Sequence, residues 1–295
     1  MSFPRLRQIS LLTLAVSIAA CSQKPQNSEF VLLPDEIRET SALLCLNNGH
    51  FLTLNDSGHP SVLFEFDRQG RILQRTPLAV SNTDWEALAQ SPTQLWVGDL
   101  GNNSGARQQT QLWQLTQPWQ QAQTPVEVPI RLTHQQQPMP APYQHDLDVE
   151  ALTYADGALW LFSKSWQSGL SQVYRWRAGE ALQTAGVVQG LKGLVTDAAF
   201  SETEQLFVLV GYSNMYKNPL SFLLNNDYQP FIALVDRNFQ LVMQQPLNST
   251  GQVEGVCVDQ QQQIWLTQEK TEAQPALFWR FSSVQELRKK TNIKS

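Results

Sequence analysis

Asp84-Trp-Glu-Ala-Leu88 and Asp148-Val-Glu-Ala-Leu152 are nearly the same pentapeptide, 64 residues apart. Three looser copies surround them: Glu39-Thr-Ser-Ala-Leu43, Val195-Thr-Asp-Ala-Ala199 and Gln252-Val-Glu-Gly-Val256. Aligned, their third column holds Ser41, Glu86, Glu150, Asp197 and Glu254, at steps of 45, 64, 47 and 57 residues. Units of about 40 to 50 residues are the length of propeller blades. The two long steps contain insertions, the Pro- and Gln-rich stretch Gln117–Gln144 and the stretch Tyr212–Pro230.

Each motif is followed by a short run of β-forming residues: Phe51–Leu54, Gln94–Val97, Ala158–Phe162, Leu206–Val210 and Ile264–Leu266. Aromatic and branched side chains in such runs fit a pleated, half-buried surface. A polar or aromatic residue closes each unit's second strand: Asp56, Asp99, Lys164, Tyr212 and Glu269, at 15, 13, 14, 15 and 15 residues from the third column. A third strand alternates large residues, as in Val62–Phe66 and Leu277–Phe281. The last unit runs out of chain before its fourth strand, and Phe30–Leu33 is placed to supply it. The reading is an all-β chain with a single β-propeller over residues 29–283. It has five blades, or six if the first insertion hides one, and is closed by an N-terminal strand. Such a closure removes the last open sheet edge.

These motifs resemble those of a bacterial extracytoplasmic β-propeller group known as phytase-like or esterase-like. The residues that carry the likeness are Glu39-Thr-Ser-Ala42, Asn55-Asp-Ser-Gly58, Asp84–Leu88, Val97-Gly-Asp-Leu-Gly-Asn-Asn103, Asp148–Leu152 and Gln252-Val-Glu-Gly255. The chain is also similar to the SdiA-regulated lipoprotein propellers. The resemblance implies the fold and, as an expectation, hydrolysis of an ester, lactone or phosphate ester. The fourth unit departs from the pattern, with Val195 and Tyr212 where other units carry mostly polar groups.

The N-terminus has its own logic. Arg5 and Arg7 precede the apolar run Ile9–Ala20, which closes on Ile18-Ala-Ala-Cys21. A charged head, a short apolar body and small residues before the cut define a secretory signal. The tetrapeptide resembles the lipobox of bacterial lipoproteins, so residues 1–20 are expected to be cleaved and Cys21 to be acylated. Ser22 after the cysteine implies an outer-membrane lipoprotein facing the periplasm, and residues 21–28 read as a tether. Removing the signal leaves 19 basic against 26 acidic residues, a net charge of −7, which repels nucleic acid. The chain is expected to be a monomer. Only Cys45 and Cys257 then remain, and both are expected to be buried free thiols, with a bridge between them the alternative that an oxidising compartment allows. Residues 284–295 read as a C-terminal tail, either a solvated end or one or two helical turns over Val284–Lys290.

Propeller topology places the start of each first strand and the end of each second strand at one mouth. Asp56, Glu86, Asp99, Glu150, Asp197, Glu254 and Glu269 would converge there with Lys164. Packed like charges need an answer, and three remain open. A hard cation such as Ca²⁺ takes six to eight oxygen ligands. The acids can instead accept N–H groups of neighbouring blades, or share protons for acid–base catalysis with Glu150 and Lys164. Trp85, Trp166 and Tyr212 are candidate binding aromatics. Ser57-Gly-His59 reads as a turn, and no metalloprotease HExxH or hydrolase GxSxG is present. Two functions follow: an envelope lipoprotein that binds a protein or glycan through its acidic face, and a Ca²⁺-dependent hydrolase.

Overall fold

The computed structural model describes residues 30–132, 140–213, 229–249 and 251–291. The signal, Cys21, His134, Tyr216 and residues 133–139 and 214–228 of the two insertions lie outside them. The period-two stretches form strands throughout, in five four-stranded antiparallel sheets. Blade 1 is β2 (Leu44–Cys45), β3 (Phe51–Thr53), β4 (Val62–Phe66) and β5 (Ile72–Pro77). Blade 2 is β6 (Trp85–Gln90), β7 (Gln94–Asp99), β8 (Thr110–Thr116) and β9 (Val126–Ile130). Blade 3 is β10 (Val149–Ala155), β11 (Ala158–Ser163), β12 (Gln172–Trp176) and β13 (Gln183–Val187). Blade 4 is β14 (Leu194–Ser201), β15 (Leu206–Ser213), β16 (Gln229–Val235) and β17 (Leu241–Pro246). Blade 5 takes β18 (Val253–Val258), β19 (Gln263–Gln268) and β20 (Leu277–Ser283) from the C-terminal end, and β1 (Val31–Leu32) from the other.

The fold is thus a five-bladed propeller closed by its N-terminal strand. Val31 pairs with Phe278 and Leu32 with Leu277. Gly70, in the β4–β5 turn, holds φ +75°, and a Cβ there would stand 2.9 Å from Val31. Blade 1 is therefore pressed onto the strand that completes blade 5, and only glycine fits the turn.

The core is divided by the ring. One apolar cluster fills each of the five seams between blades, for example Leu52, Trp85, Leu95 and Leu115 between blades 1 and 2. Alternation makes this possible, because each strand offers side chains to both faces of its sheet.

Two expectations are corrected by the fold. Cys45 and Cys257 are bonded to each other, with their Cα atoms 5.5 Å apart. Closing the ring lays β2 beside β18, so thiols separated by 212 residues become neighbours. The C-terminal tail is not solvated along its length. It forms α1 (Val284–Thr291), with Val284 and Leu287 buried in the seam between blades 4 and 5. Its start is a reciprocal cap: the Glu286 N–H donates to Ser283 Oγ, and the Ser283 N–H donates to Glu286 Oε2.

The disulfide spans nearly the whole ring, so its loss frees a long loop. Replacing Cys257 by Ser should lower the unfolding free energy by up to roughly 5 kcal/mol on chain entropy. A melting temperature unchanged by C257S or by reductant would show that β1 pairing alone holds the seam.

Candidate functional site

A one-residue slip of register aims the acids. In blade 2, Trp85 pairs with Asp99 but Ala87 with Gly98, so Glu86 is the extra residue of a β-bulge. The same slip isolates Glu150 in blade 3 and Glu254 in blade 5. In blade 4 it falls between Val195 and Asp197, which makes Thr196 the matching residue. Blade 1 contributes Ser41, whose N–H donates to Leu54 O beside the Thr40–Asn55 bridge. The inner ring is therefore Ser41, Glu86, Glu150, Thr196 and Glu254.

Two expected members of the mouth are turned out of it by this register. Asp197 stands one residue past the bulge, and its carboxylate is taken up by backbone N–H groups. It accepts the N–H groups of Val256 at 2.7 Å and Ala198 at 2.8 Å, and that of Leu43, which makes it a brace between blades. Asp99 pairs across from Trp85 and is fully buried. It holds Arg107 Nη2 and Gln111 Nε2, each at 2.7 Å, and so pins the loop after β7. The position that matches Asp56, Lys164, Tyr212 and Glu269 in blade 2 is Leu100.

The structure adds three acids from the motif's first column: Glu39, Asp84 and Asp148. They lie two residues from the inner ring, on the same face of the strand start. Asp148 is satisfied, accepting Asn102 N–H at 2.6 Å and Trp166 Nε1–H at 2.7 Å. Asp84 joins Asp56 and Glu86 in a group whose carboxylate oxygens lie within 4.8 Å of one another. Gly101 borders that group, and a Cβ there would stand 2.5 Å from Asp84 Oδ2 and 2.8 Å from Glu86 Oε1. Space beside these carboxylates thus depends on a glycine.

Lys164 is the ammonium among them. Its Nζ donates to Glu150 Oε2 at 3.0 Å and lies 5.0 Å over the Trp166 ring. Glu150 is almost wholly buried, and its other oxygen, Oε1, has no hydrogen-bond partner. Ser41 Oγ donates to Glu86 Oε2 at 2.6 Å, and Tyr212 Oη donates to Glu254 Oε1 at 3.0 Å. The three candidate aromatics are buried. Trp85 belongs to the seam between blades 1 and 2, while Trp166 and Tyr212 form a small cluster with Leu194.

Burial first, and neighbouring carboxylates second, set the protonation of the mouth. Glu86 and Glu269 are held well above the ordinary carboxylate range this way. Burial also raises Asp56, Glu150 and Glu254, with Lys164 opposing it in each. Burial and the charges of Asp56 and Asp148 push Asp84 up to about 7. Burial alone would lower Lys164, but Glu150, Glu254, Asp148 and Glu86 hold it well above its usual value.

A cavity of about 490 Å³ opens at the other end of the ring, lined by Asn47, Asn48, Gln90, Gln117 and neighbours. Its lining contains no titratable group, and the titratable chemistry lies with the charged mouth.

No protein-family model matches the sequence, and no curated protein matches it. Solved structures do share the fold. A putative gluconolactonase is 9% identical, with a TM-score of 0.50 over 84% of this chain and 75% of that one. A glucose dehydrogenase is also 9% identical, with a TM-score of 0.50 over 86% and 99%. A gluconolactonase of Xanthomonas campestris is 13% identical, with a TM-score of 0.47 over 90% and 93%. The likeness is one of fold.

The raised carboxyls give the cation-free protein a definite pH response. A carboxyl raised by folding stabilises the fold fully below its ordinary value, and that contribution is lost as pH climbs through the folded value. For Asp84 the window runs from 3.8 to about 7. In chelator, the melting temperature should therefore fall between about pH 5 and pH 8, and Asp84→Asn should flatten the part of the fall near neutrality. A melting temperature that rises across that range would contradict raised, protonated carboxyls at the mouth.

Proposed function

We propose that the protein is a divalent-cation-dependent hydrolase of neutral esters or lactones, with its site at the acidic mouth. The observation that carries this reading is the group Asp56, Asp84 and Glu86, three carboxylates from two blades with oxygens within 4.8 Å. The residues fit a hard cation. All donors are oxygens, Gly101 leaves room beside them, and Glu150 Oε1 is a buried carboxylate oxygen without a partner. Asp56, Asp84 and Glu86 would hold the ion, and Ca²⁺ suits such a set.

When bound, such an ion polarises a carbonyl oxygen and makes water a better nucleophile. The chain's own residues do the remaining work. Glu254, fixed by Tyr212, and Glu269 beside it are carboxyls raised by burial, which suits them to take and return a proton. Lys164, fixed by Glu150, sets a positive charge facing the acids of three blades, where it offsets negative charge that develops on a carbonyl oxygen. The excess of carboxylates disfavours phosphate esters, which are themselves anionic. The phytase-like and esterase-like resemblance of the motifs agrees with hydrolysis. A gluconolactonase-like fold at 9% identity leaves the reaction to the site.

A glycan-binding face would need exposed aromatics, and Trp85, Trp166 and Tyr212 are all buried. That favours hydrolysis over capture of a glycan at this mouth. The anchor is an independent part of the proposal. Cys21 carries the lipid, and the propeller is tethered to the outer membrane through residues 21–28.

Two measurements test these points. Added Ca²⁺ should raise the melting temperature of chelated protein, since a ligand at a hundredfold excess over Kd stabilises by about 2.7 kcal/mol. Glu86→Gln should weaken that effect about tenfold or more, because ligand charge sets affinity in such sites, and should abolish turnover of a neutral lactone or ester. Absence of any Ca²⁺ shift would sink the cation-dependent reading. For the anchor, Cys21→Ser should abolish palmitate incorporation and move the protein from the membrane to the soluble fraction. Unchanged fractionation of C21S would refute it.

A further inference from the structure

Beside the rim group lies an inner ring of oxygens that shares only Glu86 with it. The inner ring presents three carboxylates, Glu86, Glu150 and Glu254, and two hydroxyls, Ser41 and Thr196. Both hydroxyls already donate their protons elsewhere. Ser41 donates to Glu86 Oε2, and Thr196 Oγ1 donates to Val253 O at 2.9 Å. What each hydroxyl has left to offer is its lone pairs. All five are buried, and Glu150 Oε1 has no partner. A buried, all-oxygen, carboxyl-rich set with an unpaired carboxyl oxygen is the donor chemistry of a hard divalent cation. Yet a cation is already there, because Lys164 Nζ bonds Glu150 at 3.0 Å and faces Glu254, Asp148 and Glu86 from blades 5, 3 and 2.

We infer that Lys164 is a resident cation that occupies the inner ring, confines metal to the rim group of Asp56, Asp84 and Glu86, and so fixes the mouth at one divalent ion. The inference rests on the cation-dependent reading for the rim ion, but not for the ring. Removing the ammonium leaves Glu86, Glu150 and Glu254 as mutually repelling buried carboxylates. The ring then becomes a second site for the metal itself. Lysine is suited to the role, being a compact point charge whose stem packs while its head bonds. Trp166 holds that head from the other side, and Tyr143 packs edge-on against Trp166 with ring centroids 4.9 Å apart. The ammonium is thereby fixed in place from both sides.

The test is a count of ions. Purified wild-type protein, Lys164→Met and Lys164→Met/Glu150→Gln are titrated with Ca²⁺ by calorimetry, and with Tb³⁺ as a luminescent probe. Lys164→Met should bind one more ion per chain than wild type. The added Glu150→Gln change should remove that extra ion. Lys164→Arg keeps the charge and should match wild type. If Lys164→Met does not fold in chelator, millimolar Ca²⁺ should restore its circular dichroism and melting transition. Two outcomes overturn the inference: equal ion counts in Lys164→Met and wild type, or a Lys164→Met protein that stays unfolded in Ca²⁺. The two readings fail separately. A wild-type count of zero would remove the rim ion, while a gain of one ion in Lys164→Met would still place Lys164 in the ring.

Discussion

A ring of blades has to join its two ends, and every feature of the mouth depends on how this chain does so. Blade 5 borrows β1, so the first described strand and the last lie in one sheet. The Cys45–Cys257 bond then ties the innermost strands of blades 1 and 5. These closures act at different radii. β1 seals the outer edge of blade 5, while the disulfide fixes the axis side, where Ser41 and Glu254 face the same channel. Blades 1 and 5 are the pair that sequence separates most. Without the seam, the ring of oxygens contributed by five blades would not be a ring.

Once the ring is closed, each buried carboxylate must find an answer to its charge, and the mouth uses several. Asp197 and Asp148 take N–H groups and need no counter-ion. Asp99 takes a guanidinium, and Glu150 takes an ammonium. Asp56 accepts the Ser57 N–H and Glu86 the Ser41 hydroxyl, but none of Asp56, Asp84 and Glu86 has an ion-pair partner among the described residues, so protons or a metal must serve. This sorting is why a count of acids misleads. The same residue type braces blades at one position and offers open oxygens two residues away, and the β-bulge decides which.

Much of this is legible in the sequence. The pentapeptide repeat, its spacing and the strand runs point to five blades and the N-terminal closure. They also mark Glu86, Glu150 and Glu254 as equivalents, with Asp56, Lys164, Tyr212 and Glu269 opposite them. Register is what the pattern misses. Aligning Val195-Thr-Asp with Asp-Val-Glu matches acid to acid, whereas the backbone matches Thr196 to Glu150. A slip of one residue reverses a strand's faces, so Asp197 and Asp99 fall on the wrong side of the alignment. Asp84 and Asp148 are visible as the first column of the motif. A period of two puts them with the third column. Ser283-Val-Gln-Glu286 likewise spells a capping box, and Val284 and Leu287 spell one buried helical face. The disulfide has no such signal. Two lone cysteines become partners only when the ring is known to close, which makes their pairing a property of topology.

The opposite end of the propeller sharpens the case for the mouth. There the inner hairpins turn through Leu46–Gly49 and Ser91–Thr93, and the large cavity between them is lined by amides. Amides pair with one another and with water at any ordinary pH, so the lining of that cavity carries no charge that folding must offset. The mouth has many, and evolution rarely tolerates buried like charges for stability alone, because replacing them by apolar residues is commonly neutral or better. Two of the acids, Asp197 and Asp99, have a structural answer that accounts for them fully. The rim group has only the Ser57 N–H and the Ser41 hydroxyl, and Gly101 stands so close to it that a Cβ would clash with Asp84 and Glu86. A fold that keeps a glycine to preserve an unfavourable cluster of carboxylates is holding a position for something that binds them.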